Sequence, residues 1–128
     1  SGRAQSIQFK EPVTDMPDAM RSLDLMVMAS EAEPFGLVTV EAMSCGCAVV
    51  ATRSGASSEI ITDDEDGILI EPGSPDAIAN AIRGLLKDQD RRNRLGLRAR
   101  ETAVQKFSQG RNIDEIERLF MDLCGLAL

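Results

Sequence analysis

Glu41 is the only charged side chain between Glu33 and Arg53. It sits in Pro34-Phe35-Gly36-Leu37-Val38-Thr39-Val40-Glu41-Ala42-Met43, a segment otherwise uncharged and mostly apolar. An ionised carboxylate in such company is costly unless it is paired, hydrogen-bonded or solvated. Two readings stand side by side. In one, Glu41 lies near the positive N-terminal end of a helix and faces water. In the other, it belongs to a binding site. Open α/β sheets take ligands at the loops that leave the C-terminal ends of their strands. Glu33 falls in such a loop, and Glu41 falls just inside the helix that follows. Between them, Phe35, Gly36 and Leu37 offer backbone N–H groups at a helix start, which suit an anion and phosphate above all. Gly36 lets the backbone approach a ligand closely. A carboxylate beside that anion site suits sugar hydroxyls, which it grips with two acceptor oxygens. Arg53, at the exit of the next strand, is the nearest cation for a phosphate contact; its plainer reading is a solvated loop charge.

The remaining residue types narrow the chemistry. With no His in 128 residues, a Ser-His-Asp or Cys-His nucleophile system and a His-containing zinc site are excluded. Cys45-Gly46-Cys47 has one intervening residue and no second pair, so buried small side chains are favoured over a metal or redox role. The odd cysteine count suits a reducing compartment, and so a cytoplasmic protein. Asp63-Asp64-Glu65-Asp66 lacks the spaced ligands of a calcium loop and reads as a solvated turn. Arg91, Arg92, Arg94, Arg98 and Arg100 read as a solvated helix face, with a membrane surface as the alternative. Lys and Arg number 14 against 21 Asp and Glu, a net charge of −7 with a pI near 4.6, which argues against nucleic acid as partner. Glu33 and Glu41 as a glycosidase pair would need carboxyls about 5–10 Å apart across one bond, and nothing marks the raised pKa of a general acid. No apolar run approaches the roughly 18 residues of a membrane span, and no signal segment opens the chain. Ser1-Gly2 in place of Met suggests a processed product or a fragment.

These residues need elements to hold them. Ile7-Gln8-Phe9 reads as a short strand. Asp15 and Pro17 open a helix over Met16 to Leu23. Leu25 to Ala29 is an apolar run suited to a strand covered on both faces. Leu37 to Cys45 is a helix closed by Gly46. Ala48 to Thr52 and Ile68 to Ile70 are further strands, with a short helix capped by Ser57 or Ser58 between them. Ser74-Pro75-Asp76 opens a helix whose apolar face runs from Ala77 to Leu86. A basic helix over Asp90 to Val104 is weakened by Gly96, and Ser108 caps a last helix carrying Ile113, Ile116, Phe120 and Leu123. Strand, helix, strand, helix, strand predicts an α/β fold with a parallel sheet and crossover helices. Doubly wound sheets usually have five or six strands and open on a Gly-rich turn, whereas this chain contains no Gly-x-Gly. It is therefore expected to be the second half of a Rossmann-like domain. One unit, 1–128, is expected, α/β over 1–73 and helical over 74–128.

Glu33, seven residues, then Glu41, together with Pro34-Phe35-Gly36-Leu37, Glu41-Ala42-Met43 and Cys45-Gly46, resembles the signature of retaining glycosyltransferases of family 4. The likeness continues through Ala48 to Thr52, Gly55, Glu59-Ile60-Ile61, Asp66 to Ile70 and the Ser74-Pro75-Asp76 helix. It implies one half of a GT-B architecture, in which two Rossmann-like domains face a cleft. It places Glu33 at the donor sugar as the catalytic candidate and Glu41 on the ribose hydroxyls. It puts the backbone at Phe35, Gly36 and Leu37 against the sugar and diphosphate. The implied reaction transfers a hexosyl group from a nucleotide diphosphate sugar to a glycan or lipid-linked acceptor, with no cofactor and no metal. Two departures stand out: Ser54-Gly55 replaces a frequent Gly pair, and Lys10-Glu11-Pro12 replaces a Gly after the first strand. The basic residues that hold the diphosphate, and the N-terminal acceptor-binding domain, would lie before Ser1, so the isolated chain is expected to be inactive. The alternative is a non-catalytic half-domain that self-associates or pairs with another chain through an exposed sheet edge.

Overall fold

The computed structural model describes residues 6–30 and 35–107. Three parallel strands, β1 (Leu25–Met28), β2 (Ala48–Thr52) and β3 (Ile68–Ile70), lie in the order β1-β2-β3. Pairing runs from Leu25↔Ala48 to Met28↔Ala51 and from Val50↔Ile68 to Thr52↔Ile70. All three strands therefore end on one side of the sheet. The helices are α1 (Met16–Arg21), α2 (Leu37–Ser44), α3 (Ala56–Ile60), α4 (Pro75–Lys87) and α5 (Gln89–Lys106). This is the α/β sheet with flanking helices that the pattern predicts.

The small residues of β2 are buried at every position, as the central strand of a two-sided layer requires. Val49 and Ala51 pack with Ala42, Met43, Ile60, Ala99 and Ala103 on one face. Ala48 and Val50 pack with Ile70, Leu85 and Leu95 on the other. β1 lies at an edge of the sheet among the described residues; its four residues are half-buried, with Met26 and Met28 packed against the core of one face and Leu25 and Val27 against that of the other, as the apolar run predicts.

Local chemistry sets the helix ends. The Asp15 carboxylate accepts the Asp18 N–H at 3.0 Å, and Ser74 Oγ accepts the Ala77 N–H at 3.3 Å, each ahead of a proline in the first turn. Gly46, at φ 75°, ends α2. Its N–H reaches the Met43 carbonyl, and the Cys47 N–H reaches that of Ala42, both at 3.0 Å, which is the Schellman arrangement.

Four expectations need correction. Ile7-Gln8-Phe9 forms no strand; Ile7 and Phe9 are 66% and 96% exposed, with no apolar surface to pair against. The cap of α3 is Gly55, at φ 50°, not Ser57 or Ser58, because the chain turns one step earlier and Ser57 is drawn into the interior. Gly96 does not weaken α5. It is buried, and a Cβ there would overlap the Gly46 carbonyl oxygen, so its lack of a side chain is what lets α5 seat on the α2–β2 corner. The acidic turn is not simply solvated. Asp66, 5% exposed, accepts the Thr62 N–H and the Thr102 hydroxyl, both at 2.8 Å, and Asp63 accepts the Leu69 N–H at 2.9 Å. Arg91 meets Asp64 at 2.6 Å and holds its carboxyl below the usual range by hydrogen bond and charge. The helix expected from Ser108 lies outside the described residues.

Candidate functional site

The C-terminal edge of the sheet carries the segment singled out by sequence. From Met28 the chain passes through residues 29–36 into α2, and from Thr52 it passes through Arg53-Ser54-Gly55 into α3. Gly36 is the N-cap of α2, in the left-handed region at φ 64°, with no side-chain cap. Both its conformation and its surroundings demand glycine. A Cβ there would run into Ile60 Cδ1 and stand 3.2 Å from Ala56 Cβ, so the starts of α2 and α3 abut. Val40 is the first α2 residue whose N–H closes a helical bond, to the Gly36 carbonyl at 3.0 Å. The amides of Leu37, Val38 and Thr39 precede it, and with the helix dipole they give this edge a positive end without a cation.

Alternating burial along α2 decides what that end presents. Thr39, Val40, Ala42 and Met43 face the core, while Leu37 and Val38 are 42% and 39% exposed and Glu41 is exposed with them. At spacings of three and four residues these side chains share one face. Among the described residues Glu41 makes no side-chain hydrogen bond and no ion pair. The helix therefore offers amides at its tip, two exposed apolar side chains and a free carboxylate one turn behind them. That set can hold a phosphate, an apolar sugar or base face, and a vicinal diol. Phe35 is half-buried beside Gly36, while Glu33 lies outside the described residues.

Arg53 is already engaged. Its Nε donates to Glu71 Oε1 at 3.0 Å and its Nη2 stands 3.7 Å from Asp63 Oδ2, on the β3 side of the edge. Its side chain is 42% exposed, and exposed pairs of this kind are weak. A phosphate contact by Arg53 means exchanging one of those partners.

Sequence reasoning missed two hydroxyls. Thr52 Oγ1 donates to the Met28 carbonyl at 3.3 Å and Ser54 Oγ to that of Ser30 at 3.1 Å. Their only signal is two hydroxyl residues at strand spacing where β2 runs out. A cleft of about 540 Å³, walled in part by Asp24, Cys45, Arg92 and Arg100, opens at the other edge of the sheet, by the C-terminal end of α2. It is remote from the α2 amides and shares no residue with them. Among the described residues no group of three or more metal-ligating side chains comes together.

Residues 2–102 match the family model described as Glycosyl transferases group 1. The N-acetyl-alpha-D-glucosaminyl L-malate synthase of Bacillus anthracis is 37% identical over 100 residues, which are 78% of this chain and 26% of that protein. A D-inositol 3-phosphate glycosyltransferase of Paenarthrobacter aurescens is 37% identical over 109 residues, 84% of this chain and 26% of that one. The chain thus spans about a quarter of the length of these curated relatives. Among solved structures, the C-terminal domain of a glycosyl transferase group 1 family protein (LpcC) from Francisella tularensis superimposes with a TM-score of 0.72 at 39% identity, over 80% of this chain and 53% of that one. Anabaena Alr3699/HepE, solved in complex with UDP-glucose, superimposes with a TM-score of 0.75 at 34% identity, over 84% of this chain and 30% of that one.

Proposed function

The chain belongs to the group 1 glycosyltransferases, and from that premise we propose that it is the part of a retaining, family 4 enzyme that binds the nucleotide diphosphate sugar. Glu41 takes the ribose hydroxyls. The amides from Phe35 to Leu37 meet the diphosphate and the sugar, and Glu33 approaches the sugar hydroxyls. The observation that carries this reading is the exposed face of α2, where a free carboxylate follows the Leu37, Val38 and Thr39 amides of the helix start at the C-terminal edge of a parallel sheet. The structural neighbour HepE, solved with UDP and with UDP-glucose, lends support.

The contribution to catalysis is positioning and electrostatic. A hexosyl group leaves as charge develops on the nucleotide diphosphate, and preoriented amides at a helix start stabilise that charge with no reorganisation cost. The acceptor, a glycan or a lipid-linked sugar, and the cations for the diphosphate belong to an N-terminal domain outside these 128 residues, so the isolated chain binds donor without turnover. It works in the cytoplasm, where the exposed arginines of α5 allow contact with a membrane surface that carries the acceptor. No described helix is long and apolar enough to cross a membrane.

Calorimetry with UDP, GDP and ADP, on the wild-type chain and on Glu41→Ala, tests the assignment. Binding of one nucleotide, lost in the variant, is expected. Undiminished binding by Glu41→Ala sinks the ribose role, and robust sugar transfer by the isolated chain sinks the need for a second domain. The half-exposed β1 edge favours a second reading in which the chain pairs with a copy of itself through that strand. Light scattering showing a monomer overturns it.

A further inference from the structure

The cleft of about 540 Å³ at the other edge of the sheet falls within the roughly 300–1,000 Å³ of small-molecule sites. Its walls come from distant parts of the chain. Asp24 stands one residue ahead of β1, Cys45 caps the C-terminal end of α2, and Arg92 and Arg100 lie on α5. Arg92 is held in place: its Nη1 donates to the Leu85 carbonyl at 2.8 Å and to that of Leu86 at 3.4 Å, at the end of α4. No carboxylate answers it. Elsewhere on the same helix Arg91 meets Asp64 and Arg98 meets Glu101. Among the described residues Arg92 and Arg100 have no ion pair, and Asp24 has neither an ion pair nor a side-chain hydrogen bond. Asp24 and the two guanidinium groups therefore line one cleft without neutralising one another. Leu23 and Leu97, 46% and 67% exposed, add apolar surface to the same walls.

We propose that this cleft is a second binding site, for a small zwitterion whose carboxylate meets Arg92 and Arg100 and whose ammonium meets Asp24: an α-amino acid with an apolar side chain. A guanidinium is a planar fork that a carboxylate fits with two parallel hydrogen bonds, and the Asp24 carboxylate accepts from an ammonium. Only one guanidinium nitrogen of Arg92 is engaged among the described residues, so the rest of its fork stays available. The two backbone carbonyls that fix it remove part of the ordering cost that binding carries. A simple anion leaves Asp24 unanswered, and a simple amine leaves both arginines so. A ligand with both charges on one apolar frame answers all three and covers Leu23 and Leu97. The cleft shares no residue with the α2 amides or Glu41, so the proposal stands without the donor-site reading.

The test uses leucine as the probe, against isocaproate, which lacks the ammonium, and isoamylamine, which lacks the carboxylate. Half-exposed Cys45 in the cleft wall is the reporter, through its rate of alkylation by iodoacetamide. Leucine is expected to slow that labelling saturably at millimolar concentration. Each analogue, one charge-assisted contact short, needs about three- to tenfold more for the same protection. Asp24→Asn should abolish the preference for leucine over isocaproate, and Arg100→Gln should weaken leucine but not isoamylamine. Arg92→Gln also frees the α4 carbonyls, so Arg100→Gln, at an exposed position, carries the test of the cationic wall. No saturable protection by leucine, equal protection by all three compounds, or a leucine preference unchanged in Asp24→Asn overturns the proposal. Stronger protection by isocaproate than by leucine makes the cleft an anion site and overturns it too.

Discussion

Gly96→Ala sets two physical effects against each other. Gly96 lies inside α5, where replacing Gly by Ala stabilises a helix by about 1 kcal/mol. On propensity alone the variant gains stability. The opposing effect is contact. A Cβ at 96 would overlap the Gly46 carbonyl oxygen, with the Gly46 carbonyl carbon at 3.2 Å and the Ala48 nitrogen at 3.7 Å. All three are backbone atoms, and none can rotate aside. Overpacking of a filled interior costs about 1–3 kcal/mol. Relief by opening the turn at Gly46 would endanger two hydrogen bonds, each worth about 1 kcal/mol. With overpacking and one of those bonds lost, less the propensity gain, the net expectation is a loss of about 1–3 kcal/mol. Gly84→Ala, inside α4, is the internal control. Its nearest neighbour would be Arg91 Nη1 at 4.0 Å, so only the propensity gain of about 0.5–1 kcal/mol remains. Urea unfolding followed by circular dichroism reads both variants. A Gly96→Ala midpoint at or above wild type would refute the close-packing argument, and loss of stability in both variants would show that helix propensity is the wrong reference.

Three further outcomes are expected. Thr39 Oγ1 is fully buried without a partner among the described residues, so Thr39→Val removes an unpaid desolvation penalty and stabilises by about 1 kcal/mol; a lower urea midpoint would count against it. Arg91 depresses the Asp64 carboxyl first by hydrogen bond and then by charge, so folded Asp64 binds fewer protons than unfolded Asp64. Its stabilisation is present above the unfolded pKa of about 3.9 and vanishes as pH falls through the folded value. Arg91→Gln should therefore lose less stability than wild type between neutral and acid pH, and an equal deficit at both would refute the linkage. Burial, with Cys45 and Asp24 nearby, pushes the Cys47 thiol up to about 11. Iodoacetamide at neutral pH should thus modify half-exposed Cys45 well ahead of Cys47 by peptide mass spectrometry, and comparable labelling would contradict that burial.

The fold was most legible where one local signal and the core agreed. β2 and β3 match the apolar runs to the residue, because short buried strands admit no competing period. α4 begins where Ser74-Pro75 says it should, and α2 ends where Gly46 does. The failures share a cause. Ile7-Gln8-Phe9 has the apolar residues of a strand but no apolar surface to lie on. Gly96 reads as a weak point in a helix until the backbone beside it is known. Thr52 reads only as the end of a strand, and Ser54 only as a loop residue in place of a Gly, until the carbonyls of Met28 and Ser30 come within reach. In each case the deciding partner is distant along the chain.

Glu41 shows what the structure adds to a site already singled out. Its exposure alone does not separate a solvated carboxylate from a ligand group, since both face water in the free protein. The company it keeps supports the ligand role proposed for it. Leu37 and Val38, at 42% and 39% exposure, give it apolar neighbours on the same face, and a basic residue three or four positions away would stabilise a carboxylate placed only for water. α2 supplies no such neighbour and has no other charge along its length. Its amides lie at the tip, its carboxylate one turn behind, and its apolar side chains between. A ligand with an anionic end, a hydroxylated middle and an apolar face satisfies all three at once, which water does not.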